Sequence, residues 1–243
     1  MKIYKNIRIV YEDNHIIVVE KPAGILSQKD KTNEQSLLDM IKEYIKVTYH
    51  KPGNVYAGLV HRLDKQVSGI MVFAKTSKAA SRLFSQFKGH EVVKLYCAAV
   101  ESKITPCDNQ WHLLEDSVVR IHSTTHVGVT KNAVPAALQY KVIYHDEPFS
   151  LVLVNLYTGK KHQIRAQLSH HAMPIANDTK YGAHPTTGDN QIALHACFLQ
   201  FIHPTTKKVV SFYSPPYGIF TVLFKELDID SIIKQALQQE NFK

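Results

Sequence analysis

The sequence predicts an α+β protein, and three observations carry that prediction. Strand-like alternation or short apolar runs recur over 7–11, 15–20, 70–75, 91–100, 134–144, 150–157, 191–202 and 208–214. Helical spacing of apolar residues occurs in a few separate places rather than after every strand. Several strand segments are joined by short turns, as in antiparallel pairs. One mixed α+β domain over residues 1–243 is the economical reading.

Residues 7–11 and 15–20 flank Asp13-Asn14 and read as a hairpin, which Lys21-Pro22-Ala23-Gly24 stops. From Ser36, Leu37, Leu38, Ile41, Tyr44 and Ile45 recur at helical spacing, and Lys51-Pro52-Gly53 ends that helix. Gly58 to Asp64 is expected as a strand, with Leu59, His61 and Leu63 on one face and Val60, Arg62 and Asp64 on the other. Ser68-Gly69 is expected to break it before a partner strand at 70–75. Ser77 is the expected N-cap of a helix with Ala80, Leu83, Phe84 and Phe87 inward and Lys78, Arg82 and Lys88 outward. In strand 91–100, Lys94, Tyr96 and Ala98 share a face, opposite Val93, Leu95 and Cys97. Residues 101–132 are a polar, β-rich excursion. Segments 134–144 and 150–157 pair around Asp146-Glu147-Pro148. A helix at about 160–171 puts His162 and Arg165 at i,i+3 on one face. A polar loop from Asn177 to Asn190 precedes the strand pair 191–202 and 208–214, turned at His203-Pro204. The tail, with Ile229, Ile232, Ile233, Ala236 and Leu237, reads as an amphipathic helix.

Composition narrows the function classes. At 243 residues, 44% hydrophobic and 21% charged, the chain can bury a good core. The charge of +8 favours a polyanionic partner, of which nucleic acid is the commonest, although basic enzymes with small substrates also exist. Cys97, Cys107 and Cys197 are odd in number, widely spaced and without a CxxC. They suggest no zinc site or disulfide framework, are expected to pack as small hydrophobes, and fit a reducing cytoplasm. No signal-peptide h-region and no run of 18 apolar residues is present, so no membrane partner is expected. His162, His170, His171, His184, His195 and His203 match no metal-ligand spacing, and His195 reads as a core histidine.

The stretch of most chemical interest is His61-Arg62-Leu63-Asp64-Lys65-Gln66-Val67-Ser68-Gly69. It sets one carboxylate among cations near a turn, where functional groups are often placed. Taken alone, a structural Arg-Asp pair explains it better. Four further segments accompany it: Glu20-Lys21-Pro22-Ala23-Gly24, Lys94-Leu95-Tyr96-Cys97-Ala98, Thr158-Gly159-Lys160-Lys161-His162-Gln163-Ile164-Arg165, and Ile192-Ala193-Leu194-His195-Ala196 with His203-Pro204. Together, and in this order, the five resemble the motifs of the RluA-type pseudouridine synthases, over about residues 8–215. Residues 216–243 are left as a C-terminal helical extension.

The resemblance implies a long, mostly antiparallel bent sheet with flanking helices and a central cleft. Many relatives carry an N-terminal S4 RNA-binding domain. Here the matching pattern begins near residue 8, so none is expected. The implied reaction isomerises uridine to pseudouridine in structured RNA, either ribosomal or transfer RNA. It needs no metal, nucleotide or redox cofactor, and none is expected; no Walker loop or Rossmann glycine pattern is present. The reaction needs one carboxylate, whereas glycoside hydrolysis normally uses two. By resemblance Asp64 is that carboxylate, either attacking C1′ or taking the 2′ proton. Burial would disfavour its ionised form, and the guanidinium of Arg165 is implied as the group that opposes this. Tyr96 is implied as the ring on which the flipped base stacks, and as an aid in removing the C5 proton. Leu194 is implied as the opposite wall. His61, Arg62, Lys160, Lys161 and His162 are expected to hold the nucleotide and its phosphates.

Five positions depart from the family pattern: Val67 and Leu138 stand for Thr, Lys160-Lys161 for Arg-Thr, and Asn177, before Asp178, for the Gly of Gly-Asp. They leave the RNA target open. Two other classes compete: a non-catalytic RNA-binding protein of the same fold, and an enzyme acting on free nucleosides or glycosides. The +8 charge and the absence of a second placed carboxylate argue against the latter. A monomer is the default expectation.

Overall fold

The computed structural model describes residues 2–101, 110–188 and 190–240. The chain divides into two compact units, Met1–Val92 with Phe198–Ser214, and Val93–Cys197 with Pro215–Lys243.

In the first unit, β1 (Lys2–Tyr4), β2 (Ile7–Glu12), β3 (Ile16–Lys21) and β5 (Ser68–Ala74) lie side by side. The short β4 (Gly58–Leu59) also pairs with β5. The later residues of β11 (Leu194–Ile202) follow β5, and β12 (Val209–Tyr213) pairs antiparallel with them. The β2–β3 hairpin is turned where expected: the Asp13 carboxylate accepts hydrogen bonds from the backbone N–H groups of His15 and Ile16, both at 2.7 Å. Helix α1 (Leu37–Thr48) starts at Ser36, which shares a capping box with Asp39.

The core of this unit follows a period of two. Ile16 and Val18, Ile70, Val72 and Ala74, and Leu199 and Phe201 meet Ala79 and Leu83 of helix α2 (Ser77–Lys88). Ile17, Val19, Met71 and Phe73, on the opposite face, are also fully buried. Each such side chain contributes roughly 1.5–3 kcal/mol by leaving water. Gln86 of α2 donates to the Ile202 carbonyl and accepts from the Ile202 N–H, both at 2.8 Å.

Several boundaries differ from expectation. Only Gly58–Leu59 of the segment 58–64 is a strand. The Leu63 N–H and carbonyl are bonded to the Ser27 hydroxyl, not to a neighbouring strand. Ser68 and Gly69 open β5 instead of breaking a strand, and Gly69 pairs with Lys21. The turn is Asp64 to Val67, closed by the Val67 N–H on the Asp64 carbonyl at 3.1 Å. The cap of α2 is Thr76, not Ser77, because the Thr76 side chain accepts from the Ala79 N–H. Phe84 is 57% exposed, because the buried axis of α2 runs through Ala79, Leu83 and Gln86.

In the second unit, the first residues of β11, β6 (Val93–Glu101), β10 (Phe149–Leu156), β9 (Val134–Asp146), β7 (His112–Ile121) and β8 (Thr124–Val127) follow in that order. The pairs from β6 to β8 are antiparallel. Residues 174–176 run beside the end of β6, through Ala176 N–H to Ala99 O and Glu101 N–H to Pro174 O. Helix α5 (Ile229–Gln238) packs on β9. Glu240, just beyond it, accepts from Lys141 at 3.0 Å and from the Trp111 indole at 2.9 Å. The short helix α4 (Ile219–Leu223), like β1, was not expected from the sequence. Part of the excursion expected at 101–132, including Cys107, lies outside the described residues.

Helix α3 spans Gln163–His170, shorter than the expected 160–171. The reason is local. The Gln163 side chain accepts from the Lys160 N–H at 3.0 Å and from the Thr158 hydroxyl at 2.8 Å, so residues 158–162 form a stapled turn. His162 precedes the helix at φ +54°, outside helical geometry.

Candidate active site

Asp64 is the first residue of the turn that leads into β5, and it is partly exposed. Its seat is built by residues distant in sequence. The Ser27 hydroxyl donates to the Leu63 carbonyl at 2.7 Å and accepts from the Leu63 N–H at 3.1 Å, fixing the residue before Asp64. Lys21, at the end of β3, is 0% exposed. Its ammonium donates to the carbonyls of Pro22 at 2.9 Å, Ile25 at 2.8 Å and Lys65 at 3.2 Å. The Lys65 carbonyl also accepts from Gly24 N–H at 2.7 Å, and Gly24 takes the φ of +86° that favours glycine. The strand end, the Lys21–Gly24 loop and the Asp64 turn are thus tied around one ammonium. Burial pushes that ammonium down, the Asp64 carboxylate opposes the shift, and the net value is about 7.

The neighbours of Asp64 divide. Arg62 is exposed and Leu63 buried, so alternation survives without a strand. His61 accepts from the Val72 N–H through Nε2 at 3.1 Å and stacks on Phe87 at 4.5 Å between centroids. That engagement describes a packing histidine. Val67, where the family pattern has Thr, is buried.

In the second unit, Tyr96 lies on β6 and Leu194 opens β11, both buried. Arg165, on α3, is 2% exposed and forms a bidentate pair with Asp178: Nε to Oδ2 at 2.6 Å and Nη2 to Oδ1 at 2.7 Å. Its guanidinium lies over the Tyr181 ring at 4.8 Å. The Tyr181 hydroxyl meets His162 Nδ1 at 2.9 Å and accepts from the Thr125 N–H at 2.9 Å. His162 is thus not on the helix face expected for it, yet both it and Arg165 touch Tyr181. Lys160 and Lys161 are exposed, with the Lys161 carbonyl held by the Thr125 hydroxyl at 2.7 Å.

Sequence reasoning had not assigned Lys21, Ser27, Gln163, Asp178 or Tyr181. Two of them had a signal. A lysine that ends an apolar strand before Pro-Ala-Gly is placed for burial, and an arginine on a buried helix face requires a carboxylate. Asn177, where the pattern has Gly, takes φ +66°, a region that Asn tolerates. Its side chain donates to Thr187 Oγ1 at 3.0 Å and the Gln191 carbonyl at 2.6 Å, and accepts from Thr186 N–H at 2.9 Å and Thr187 N–H at 3.3 Å.

Other reactive groups are structural. His203 bonds Asp13 at 2.9 Å and accepts from two backbone N–H groups. His195 is buried, its ring 5.6 Å from that of Tyr217. Burial pushes the thiols of Cys97 and Cys197 up, the latter to about 12. Among the described residues, no three His, Cys, Asp or Glu side chains converge as a metal site, and no helix is long and apolar enough to cross a membrane.

The chain is 32% identical over 212 residues to the ribosomal large subunit pseudouridine synthase D of Yersinia pestis, covering 81% of this chain and 63% of that one. It is 35% identical over 242 residues to the protein of the same name from Neisseria meningitidis serogroup B, covering 92% and 63%. The chain thus spans less than two thirds of the length of these relatives. Human RNA pseudouridylate synthase domain containing 4 shares the fold, with a TM-score of 0.74 at 22% identity over 90% of this chain and 92% of that one. So does domain containing 1, at 0.72 and 20% over the whole of both chains. The family model described as RNA pseudouridylate synthase matches residues 15–170, more than half of the sequence, and the chain belongs to that family.

Proposed function

We propose that the chain isomerises uridine to pseudouridine within structured RNA. In that reaction the C1′–N1 bond breaks, the base turns, C1′ bonds to C5, and the C5 proton leaves as N1 gains one. Asp64 is the carboxylate that starts it, by attack on C1′ or by removal of the 2′ proton. Tyr96 is the ring on which the base lies, with Leu194 as its apolar counterpart. Arg165, oriented by Asp178, supplies the guanidinium. Arg62, Lys160, Lys161 and His162 hold phosphates; the contacts of His61 suit it better to supporting β5 than to binding RNA.

The observation that carries this reading is the seat of Asp64: a carboxylate at a turn fixed from three sides, beside a buried ammonium. A surface ion pair needs no such scaffold. The relatives' names make large-subunit ribosomal RNA the first substrate to test and transfer RNA the second.

Pseudouridine mapping by carbodiimide stops, in cells with and without the gene, tests the proposal. It is paired with purified protein on an unmodified transcript of large-subunit ribosomal RNA. A site lost on deletion and restored by wild type but not by Asp64→Asn is the expected result. Restoration by Asp64→Asn would overturn the assignment of Asp64. RNA binding without turnover by wild type would favour the non-catalytic reading, and turnover of free uridine the nucleoside one.

A further inference from the structure

Among the described residues, three other largely buried lysines have partners. Lys21 meets three carbonyls. Lys75 meets Glu12 at 2.6 Å and the Asp13 carbonyl at 2.7 Å. Lys141 meets Glu240 at 3.0 Å. Lys94 is the exception. Among the described residues its ammonium makes no hydrogen bond and no ion pair. Its side chain is mostly enclosed, and desolvation lowers its pKa with no anion opposing the shift. A lysine that merely covers apolar surface carries its head into open water, where it keeps its ordinary affinity for a proton. Lys94 is half-buried on β6, its stem desolvated and its ammonium facing no anion among the described residues, so an incoming anion would meet a cation whose charge is not already spent.

Its position says which anion. Lys94 lies on β6 two residues before Tyr96 and, by alternation, on the same face, about 7 Å away along the strand. In the register of β6 with β10, Leu95 pairs with Asn155. The next residue of β10, Leu156, ends that strand and leads into the stapled turn that exposes Lys160 and Lys161. Lys94 thus lies at the end of the sheet where β10 leads on to the turn that carries Lys160 and Lys161. Among the described residues, no carboxylate pairs with Lys94.

We propose that Lys94 is a phosphate ligand for the RNA substrate, seating a phosphodiester of the strand whose base lies on Tyr96. This rests on the reading of the chain as an RNA isomerase and adds a binding residue to it. Lys94 takes no part in bond breaking. Its contribution is uniform to ground and transition states, so it acts on KM rather than on kcat.

The test uses wild type, Lys94→Met and Lys94→Arg on the same unmodified ribosomal transcript. Turnover and equilibrium binding are measured across 50–300 mM salt, and urea midpoints report folding. Lys94→Met should raise KM and Kd about 10- to 100-fold with kcat within about threefold of wild type. The slope of log K against log salt should shrink by about 0.7–0.9, one phosphate contact. Lys94→Arg should restore both. A Lys94→Met protein with wild-type slope and Kd would overturn the proposal, as would a loss confined to stability or to kcat. Binding without turnover by wild type would defeat the isomerase reading, while the salt slopes would still decide Lys94. Absence of binding by wild type would defeat both.

Discussion

Removing the Lys21 ammonium by Lys21→Met should change how stability depends on pH. In the folded protein Lys21 titrates at about 7, against 10.5 for the unfolded chain. Between pH 7 and 9 the unfolded chain keeps this proton and the folded one sheds it. Unfolded protein then binds more protons, so stability rises with pH. From those two values the penalty of burying the ammonium shrinks by about 2 kcal/mol across the window. For a chain of this size that is a rise of about 4–8 °C in Tm. The window stops at 9 because the buried thiols of Cys97 and Cys197, whose proton affinities are raised, increasingly work in the opposite direction as pH nears the ordinary thiol value of 9.0. Urea midpoints at half-unit steps and constant ionic strength measure the curve. Lys21→Met should flatten it, leaving a small rise of the same sign from Lys94, whose proton affinity is also lowered. A wild-type curve that is level or falls from pH 7 to 9 would refute the reasoning. So would a variant curve as steep as that of wild type.

Three further substitutions probe the supports of the site. Asp178→Ala strands a buried guanidinium and should cost about 3–5 kcal/mol in urea unfolding, part of which Arg165→Leu should recover in the same background. A loss under about 1 kcal/mol would show that Asp178 is not what holds Arg165. Ser27→Ala removes both partners of the Leu63 backbone and should cost about 1–3 kcal/mol. Because Leu63 precedes Asp64, turnover kinetics on the ribosomal transcript should show kcat falling more than KM rises; unchanged kcat would mean that the turn keeps its shape without the serine.

Strand content was legible because alternation reports which face is buried, and the β2–β3 hairpin and α1 carry their own punctuation in Asp13 and Ser36. The motif singled out Asp64 as a candidate, but nothing in it pointed to the seat. Lys21 and Lys65 are 44 positions apart, and Ser27 and Leu63 are 36 apart. Their bonds run from side chains to backbone, which no periodicity encodes. The same holds for the segment 60–64. Its alternation is strand-like, yet a serine hydroxyl, not a neighbouring strand, satisfies the Leu63 backbone. The first turn of α3 was misplaced for a related reason: the amide of Gln163 takes the bonds of residues 158 and 160. Asp178 stood in a recognised position, but its pairing with Arg165 depends on how the chain folds back between them.

Asn177 shows how one position can set the order of a whole loop. Glycine there would allow the same backbone angle while leaving the chain from 186 to 191 without four tethers. Swapping loops between this chain and a relative with Gly-Asp is therefore a transplant of two parts. A loop moved without its asparagine loses its clasp, and a native loop given glycine becomes adaptable. Exchange at residue 177 alone is thus a way to trade rigidity for breadth of fit while leaving every cation in place.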